Sequence, residues 1–142
     1  MKILSCAILV AALLAVVGSG AAESPAPGRP ARIHPDPVAI EKGMADALRA
    51  FLVGDAPSVR KALDAVEENC RRLGPDEQPG YPAKVVSWDT AFHGDLDATR
   101  EFSARGTLDR AYDRFTFLPR GCLGCHAAAA REGVPGVPGL KP

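Results

Sequence analysis

Residues 122–126 read Cys-Leu-Gly-Cys-His. On a helical turn, two cysteines three residues apart present their sulfur atoms on one face, and the histidine that follows lies beside them. This is the attachment sequence of haem c, in which the two thiols add to the porphyrin vinyl groups and the histidine binds iron. We therefore predict one covalent haem c, held by Cys122 and Cys125, with His126 as the proximal axial ligand.

Haem c is attached outside the cytoplasm, so the chain is expected to begin with an export signal. Lys2, an apolar run over residues 3–17 and small residues up to Ala22 predict a signal peptide over residues 1–22. The run is shorter than the roughly 20 apolar residues that a membrane-spanning helix needs. We predict a periplasmic or otherwise exported protein with no membrane span once the signal is removed.

The composition of the chain limits the kinds of molecule that the protein is expected to bind. The chain has 142 residues, and its 17 Lys and Arg balance its 17 Asp and Glu. One domain is expected at this length. The basic stripe that is typical of nucleic-acid-binding proteins is absent from the sequence, so no nucleic-acid partner is predicted.

The chain from residue 36 onward has helical periodicity and no strand-like alternation. Residues 23–35 are rich in Pro, Ala and Gly and predict a flexible leader. Asp36 followed by Pro37 predicts the start of a first helix, and Gly54 predicts its end. Its apolar residues recur at helical spacing: Ile40, Met44, Ala47, Leu48, Phe51 and Leu52.

Three more helices are predicted. The second is capped by Asp55 and ends at Gly74, and its apolar stripe includes Cys70. The third carries Val85, Trp88, Phe92, Leu96 and Thr99 and stops near Gly106. The fourth starts after Thr107, is interrupted at Leu118-Pro119 and continues through the cysteine motif. Residues 36–133 are thus one predicted all-α domain, and residues 134–142 a disordered tail.

The cysteines could instead belong to a zinc site or to a redox-active pair. Cys122, Cys125 and His126 would bind zinc if Cys70 or His93 completed the set. A thioredoxin-like redox pair would need a βαβ context, which the helical pattern does not provide.

Four helices with this motif on the last one resemble the cytochrome c′ family. The resemblance covers residues 36–131 and rests on helix order, on Trp88 in the third helix, and on Cys122, Cys125 and His126. It implies an all-α, antiparallel four-helix bundle with covalent haem on the last helix.

The chain also departs from that family. Position 130 is Ala130, where members usually carry arginine or lysine, and Arg131 comes one residue later. Members often dimerise through their first helices, and the first helix here carries few charges, so a homodimer is one expected state.

The distal side of the haem decides between functions. In the resembling family the first helix supplies the distal residue, and Met44 is the one methionine left after signal removal. Met44 is therefore the candidate distal axial ligand, with core packing as its alternative. His93 is the alternative distal ligand, unless it is a surface residue or a propionate partner. His34, in the predicted leader, is given the least weight.

Other residues have simpler predicted roles. Cys70 is expected to pack in the core as a small apolar residue, and an intermolecular disulfide is the alternative. Trp88, Phe92, Tyr112 and Phe115 are expected to form the wall of the haem pocket.

The function predicted from these residues is electron transfer with redox partner proteins. No acid, base or nucleophile set of convincing spacing is found in the sequence, so an enzyme is not predicted. The alternative is a five-coordinate haem protein that binds nitric oxide or carbon monoxide. Peroxide chemistry is a third hypothesis and would require a distal histidine or arginine over open iron.

Overall fold

The computed structural model describes residues 34–74 and 80–134, and these residues are helical with no strand among them. The helices are α1 (Pro37–Val53), α2 (Ala56–Asn69), α3 (Ala83–Ala104), α4 (Leu108–Phe115) and α5 (Leu118–Arg131). The all-α prediction is confirmed. The predicted signal peptide, residues 23–33 of the leader and residues 135–142 of the tail lie outside the described residues. None of the described helices is both long and apolar enough to cross a membrane.

Helices α1 and α2 form a tight hairpin with the caps that the sequence predicts. The Asp36 carboxylate accepts hydrogen bonds from two backbone N–H groups of the first turn, and Pro37 is the first helical residue. Gly54 ends α1 with φ 72°, the left-handed conformation that favours glycine. Asp55 then caps α2 by accepting a hydrogen bond from the Ser58 N–H at 3.1 Å.

Helix α2 ends one residue before Cys70, so the prediction that it continues to Gly74 was wrong. The Cys70 backbone is extended, and its carbonyl accepts a hydrogen bond from His93 Nε2 at 2.8 Å. Leu73 packs in the core from this extended segment, and its N–H donates to the Asp89 carboxylate at 3.0 Å. Side chains of α3 thus supply partners for the backbone after α2, which a helical pattern does not reveal.

The predicted fourth helix consists of α4 and α5, with the break where Pro119 predicts it. Leu118 begins α5, so Pro119 lies in the first turn, where its missing N–H costs no helical hydrogen bond. Thr107 stands at the N-cap position of α4, but its hydroxyl donates to the Phe102 carbonyl and does not cap the helix.

The buried side chains form two clusters. The larger cluster joins α1, α2, α3, α4 and the start of α5, and it includes Leu63, Leu96 and Leu118. In this cluster Gly43 allows α1 to lie against α2, because a Cβ atom there would be 2.7 Å from the Val66 side chain. The smaller cluster joins α3 and α5 with the segment after α2: Leu73, Tyr81, Val85, Cys125, Ala128 and Ala129.

Candidate haem site

A cavity of about 430 Å³ lies beside the first turns of α5 and is also lined by residues of α1 and α3. Its wall contains all three chemically active residues of the predicted motif, Cys122, Cys125 and His126. Met44 of α1 and Phe92 of α3 line the same space. A mostly apolar cavity of this size with a few converging polar groups is typical of a site for a small organic molecule.

Two glycines allow α5 to lie close to α3. This contact sets the side of α5 on which the motif residues face the cavity. A Cβ atom at Gly121 would be 2.9 Å from Phe92, and one at Gly124 would be 2.4 Å from the Trp88 ring. Both distances are shorter than real contacts allow, so these two positions admit no side chain without a shift. With Gly124 against the indole, Cys122 and Cys125 on the neighbouring faces of α5 line the cavity.

The thiols of the motif are unpaired and buried or half-buried. Burial raises the pKa of Cys122, and burial together with the Asp89 carboxylate and Cys122 raises the pKa of Cys125 to about 11. Without a bound group, both are therefore neutral thiols at neutral pH. Within residues 34–74 and 80–134, no group of three His, Cys, Asp or Glu side chains is arranged to hold a metal ion. The zinc alternative gains no support.

His126 is in direct contact with His34, the residue that the sequence pattern ranks lowest among the candidate ligands. Their Nε2 atoms are 3.2 Å apart, so one imidazole donates a hydrogen bond to the other. His34 is half-buried and lines the cavity, although the pattern places it in a flexible leader. Burial and the neighbouring His126 lower the pKa of His34. The signal in the sequence that could have located it is the stiff His-Pro-Asp-Pro stretch before α1.

Met44 is half-buried and reaches the same cavity as His126, as the prediction of a distal residue on the first helix requires. Its ligation of iron stays a prediction.

His93, the alternative distal ligand, is fully buried and does not line the cavity. Its Nε2 faces the Cys70 carbonyl at 2.8 Å, and its Nδ1 faces the Asp89 backbone carbonyl at 3.1 Å and carboxylate at 3.4 Å. All of these partners are acceptors, so both ring nitrogens need a proton. Burial lowers the pKa of His93, but the hydrogen bonds to Asp89 and Cys70 outweigh it and raise the pKa overall. His93 therefore does not lie where it could bind the same iron as His126.

Asp89 is a site residue that the sequence analysis missed. It is buried, it lines the cavity, and its carboxylate binds both the Leu73 N–H and the His93 ring. The signal was available, since Asp89 lies four residues before His93 and shares its helix face.

Three of the four aromatic residues predicted to wall the pocket lie elsewhere, so the prediction holds only for Phe92. Trp88 packs behind the motif on Gly124. Phe115 and Tyr112 contact Phe51, with ring centroids 5.1 and 5.4 Å apart. The reason is the break before α5, which separates the aromatic residues of α4 from the motif.

Cys70 is buried in the larger core and also lines the cavity. Burial is the main cause of a strongly raised pKa for its thiol. This placement agrees with core packing, since an intermolecular disulfide would require the thiol to become exposed.

No protein-family model matches this chain, and comparisons with curated proteins and with solved structures find no match either.

Proposed function

We propose that this chain is an exported monohaem c-type cytochrome that transfers electrons. In this proposal, Cys122 and Cys125 hold haem c through thioether bonds, and His126 binds the iron as the proximal ligand. The observation that carries it is that both thiols and the imidazole of one Cys-x-x-Cys-His motif line a single apolar cavity.

The residues around the cavity fit such a group. Two neutral thiols, three residues apart on one helix, have the form that adds to vinyl groups. Ile40, Met44 and Phe92 supply apolar surface that keeps water from the group. When bound, haem c supplies one-electron exchange at iron, at a potential that the axial ligands and burial set. The chain's own task is then to hold, orient and shield the group.

The antiparallel four-helix bundle of the cytochrome c′ family is part of the proposal. It is supported by the order of helices and by the packing of α1 on α2, α2 on α3, and α3 on both α4 and α5. Export to the periplasm, exchange of electrons with redox partner proteins and homodimer formation through α1 are proposed on the same resemblance.

The gas-binding alternative requires an open position on the iron opposite His126. The 3.2 Å contact between His34 and His126 favours electron transfer, because it places a second imidazole where an incoming gas would bind.

The test is expression of the full chain in a bacterium that matures haem c, followed by intact mass and haem staining after denaturation. We expect a mass increased by one haem that acid acetone does not extract. The double variant Cys122→Ser, Cys125→Ser should lose all covalent haem. Cys70→Ser is the matched control, because Cys70 lines the same cavity outside the motif, and it should keep the haem. A wild-type chain of apo mass would refute the proposal.

His126 has its own test. His126→Ala should keep the thioether bonds but lose the native absorption spectrum, and an unchanged spectrum would show that His126 is not the proximal ligand.

A further inference from the structure

We propose that His34 is the second axial ligand, so that the iron is bound by two histidines, one from each end of the described chain. The proposal rests on the proposed haem attachment and goes beyond it. It assigns a metal-binding role to a residue whose neighbourhood in the sequence indicates only a leader.

The geometry of the two rings supports this assignment. The His34 and His126 ring planes are within 17° of parallel, and their Nε2 atoms are 3.2 Å apart. The ring centroids are 5.2 Å apart, much further than the two nitrogens. The rings therefore meet tip to tip, each with its Nε2 directed at the other. Imidazole nitrogens bind metals at about 2.0–2.1 Å, so two on opposite sides of one ion lie roughly 4 Å apart. Less than about 1 Å of movement separates the two arrangements.

The burial of His34 also supports the assignment. Its Nδ1 is fully buried and has no hydrogen-bond partner among the described residues. Burying an imidazole with one nitrogen unpaired costs free energy, and the single hydrogen bond to His126 offsets little of it. A bond from Nε2 to iron would be stronger than that hydrogen bond and would offset more of the cost of burying the ring, although Nδ1 stays unpaired.

His34 is also held in place by its neighbours in the chain. Pro35 and Pro37 limit the backbone of His34 and Asp36 to extended conformations. The Asp36 carboxylate then fixes this short segment to the start of α1 by accepting from the Val38 N–H at 3.0 Å. A stiff segment tied to a helix end positions a ligand more closely than a flexible leader would.

The competing side chains are less well placed. His93 has both ring nitrogens hydrogen-bonded inside the protein. Met44 lines the cavity, but the residue in contact with the iron-binding nitrogen of His126 is His34. Because a Met/His pair raises the reduction potential, two histidines would make this protein a lower-potential carrier than a Met44-ligated one.

The experiment compares haem-loaded wild type with His34→Gly and with Met44→Leu as the matched control. Wild type should be low-spin without a sulfur-to-iron charge-transfer band, and Met44→Leu should match it. His34→Gly should lose this state. The expected loss is a change to high-spin iron that binds carbon monoxide rapidly, or a new sulfur-to-iron band with a higher potential where Met44 replaces His34. Added imidazole should restore the wild-type spectrum.

The two proposals fail in different ways. A haem-loaded His34→Gly protein with the wild-type spectrum overturns the role of His34 alone. So does a sulfur-to-iron band in wild type that Met44→Leu removes, and so does a wild type that is already high-spin. A wild type without covalent haem overturns both proposals. Should His34→Gly fail to accumulate, near-infrared magnetic circular dichroism of wild type decides, because it distinguishes two nitrogen ligands from nitrogen and sulfur.

Discussion

Helix α1 uses two neighbouring faces in different ways. On one face, Ala47 and Ala50 are buried and Gly43 lies tightly against α2. On the other face, Ile40 and Met44 line the cavity that also receives the motif of α5. At Gly43, Ala47 and Ala50 the contact of α1 with its neighbours is close-packed, whereas the cavity is a space that side chains surround.

Different features of the sequence determine the structure of these two regions. In the α1–α2 contact the volumes of apolar side chains decide the fit, as in any close-packed interior. The ion pairs of Arg100 with Asp64 and Glu67 add a polar link between α2 and α3. Around the cavity, other features position the walls. Pro35, Pro37 and the Asp36 cap fix the segment before α1, and Gly121 and Gly124 allow α5 to lie close to α3. Substitutions in the two regions should therefore have different consequences for stability and for the haem spectrum.

The largest effect on stability is expected from the close-packed region. Leu63 is fully buried in the larger core. Leu63→Ala should lower the free energy of unfolding by about 2–5 kcal/mol, through lost burial and the cavity left behind. The spectrum of the proposed haem should not change, because Leu63 does not line the cavity. Chemical denaturation together with the absorption spectrum measures both.

The matched control is Leu52→Ala, since Leu52 is 78 % exposed and the change in side chain is the same. It should change stability by no more than about 0.5 kcal/mol. A Leu63→Ala protein of unchanged stability but altered spectrum would contradict the separation of the two regions.

A smaller effect is expected where α5 lies on α3. Gly124→Ala would place a Cβ atom 2.4 Å from the Trp88 ring, so the ring or the helix must move. Overpacking of this kind costs about 1–3 kcal/mol. The haem should remain covalently attached, because both cysteines are retained, while the spectrum shifts as α5 moves. Chemical denaturation of the haem-loaded variant measures the loss in free energy of unfolding.

Gly94→Ala is the control, because Gly94 is also helical but a Cβ atom added there would have no neighbour within 4 Å. Removing an exposed helical glycine should stabilise the protein by about 0.5–1 kcal/mol. Equal effects of the two substitutions would show that contact with Trp88 does not constrain α5.

The sequence predicted the parts of the fold that follow from local signals. The caps at Asp36 and Asp55, the stop at Gly54 and the break at Pro119 all appear where expected. Each depends on the backbone chemistry of a few adjacent residues, which a sequence displays directly.

The sequence predicted the site less completely. It predicted that the motif residues and Met44 share a site, and they line one cavity, but it did not predict that His34 and Asp89 line that cavity too. The contact of His34 with His126 joins residues 92 positions apart, so no local pattern contains it. The sequence left three roles open for His93. Helical periodicity shows that a residue lies near the flank of a helix, but it does not show which hydrogen-bond acceptors face its side chain.

The smallest effect concerns the buried hydrogen bonds beside the cavity. His93 links α3 to the Cys70 carbonyl after α2, and its pKa in the folded protein lies above the ordinary 6.5. The folded state therefore binds the His93 proton more tightly than the unfolded state does. The stabilisation from this proton is complete below pH 6.5 and is lost as the pH rises through the folded-state pKa.

His93→Gln should lower the free energy of unfolding by about 1 kcal/mol in acidic solution. The difference from wild type should shrink as the pH rises, and denaturation at a series of pH values measures it. Taking the difference removes the contributions of the other titratable groups, which both proteins share. Asp89→Asn should weaken the same pH dependence, because it removes the carboxylate that favours the protonated ring and leaves the two backbone carbonyls. A difference that grows with pH would mean that His93 is buried as the neutral imidazole, and the hydrogen bonds assigned to it would then be wrong.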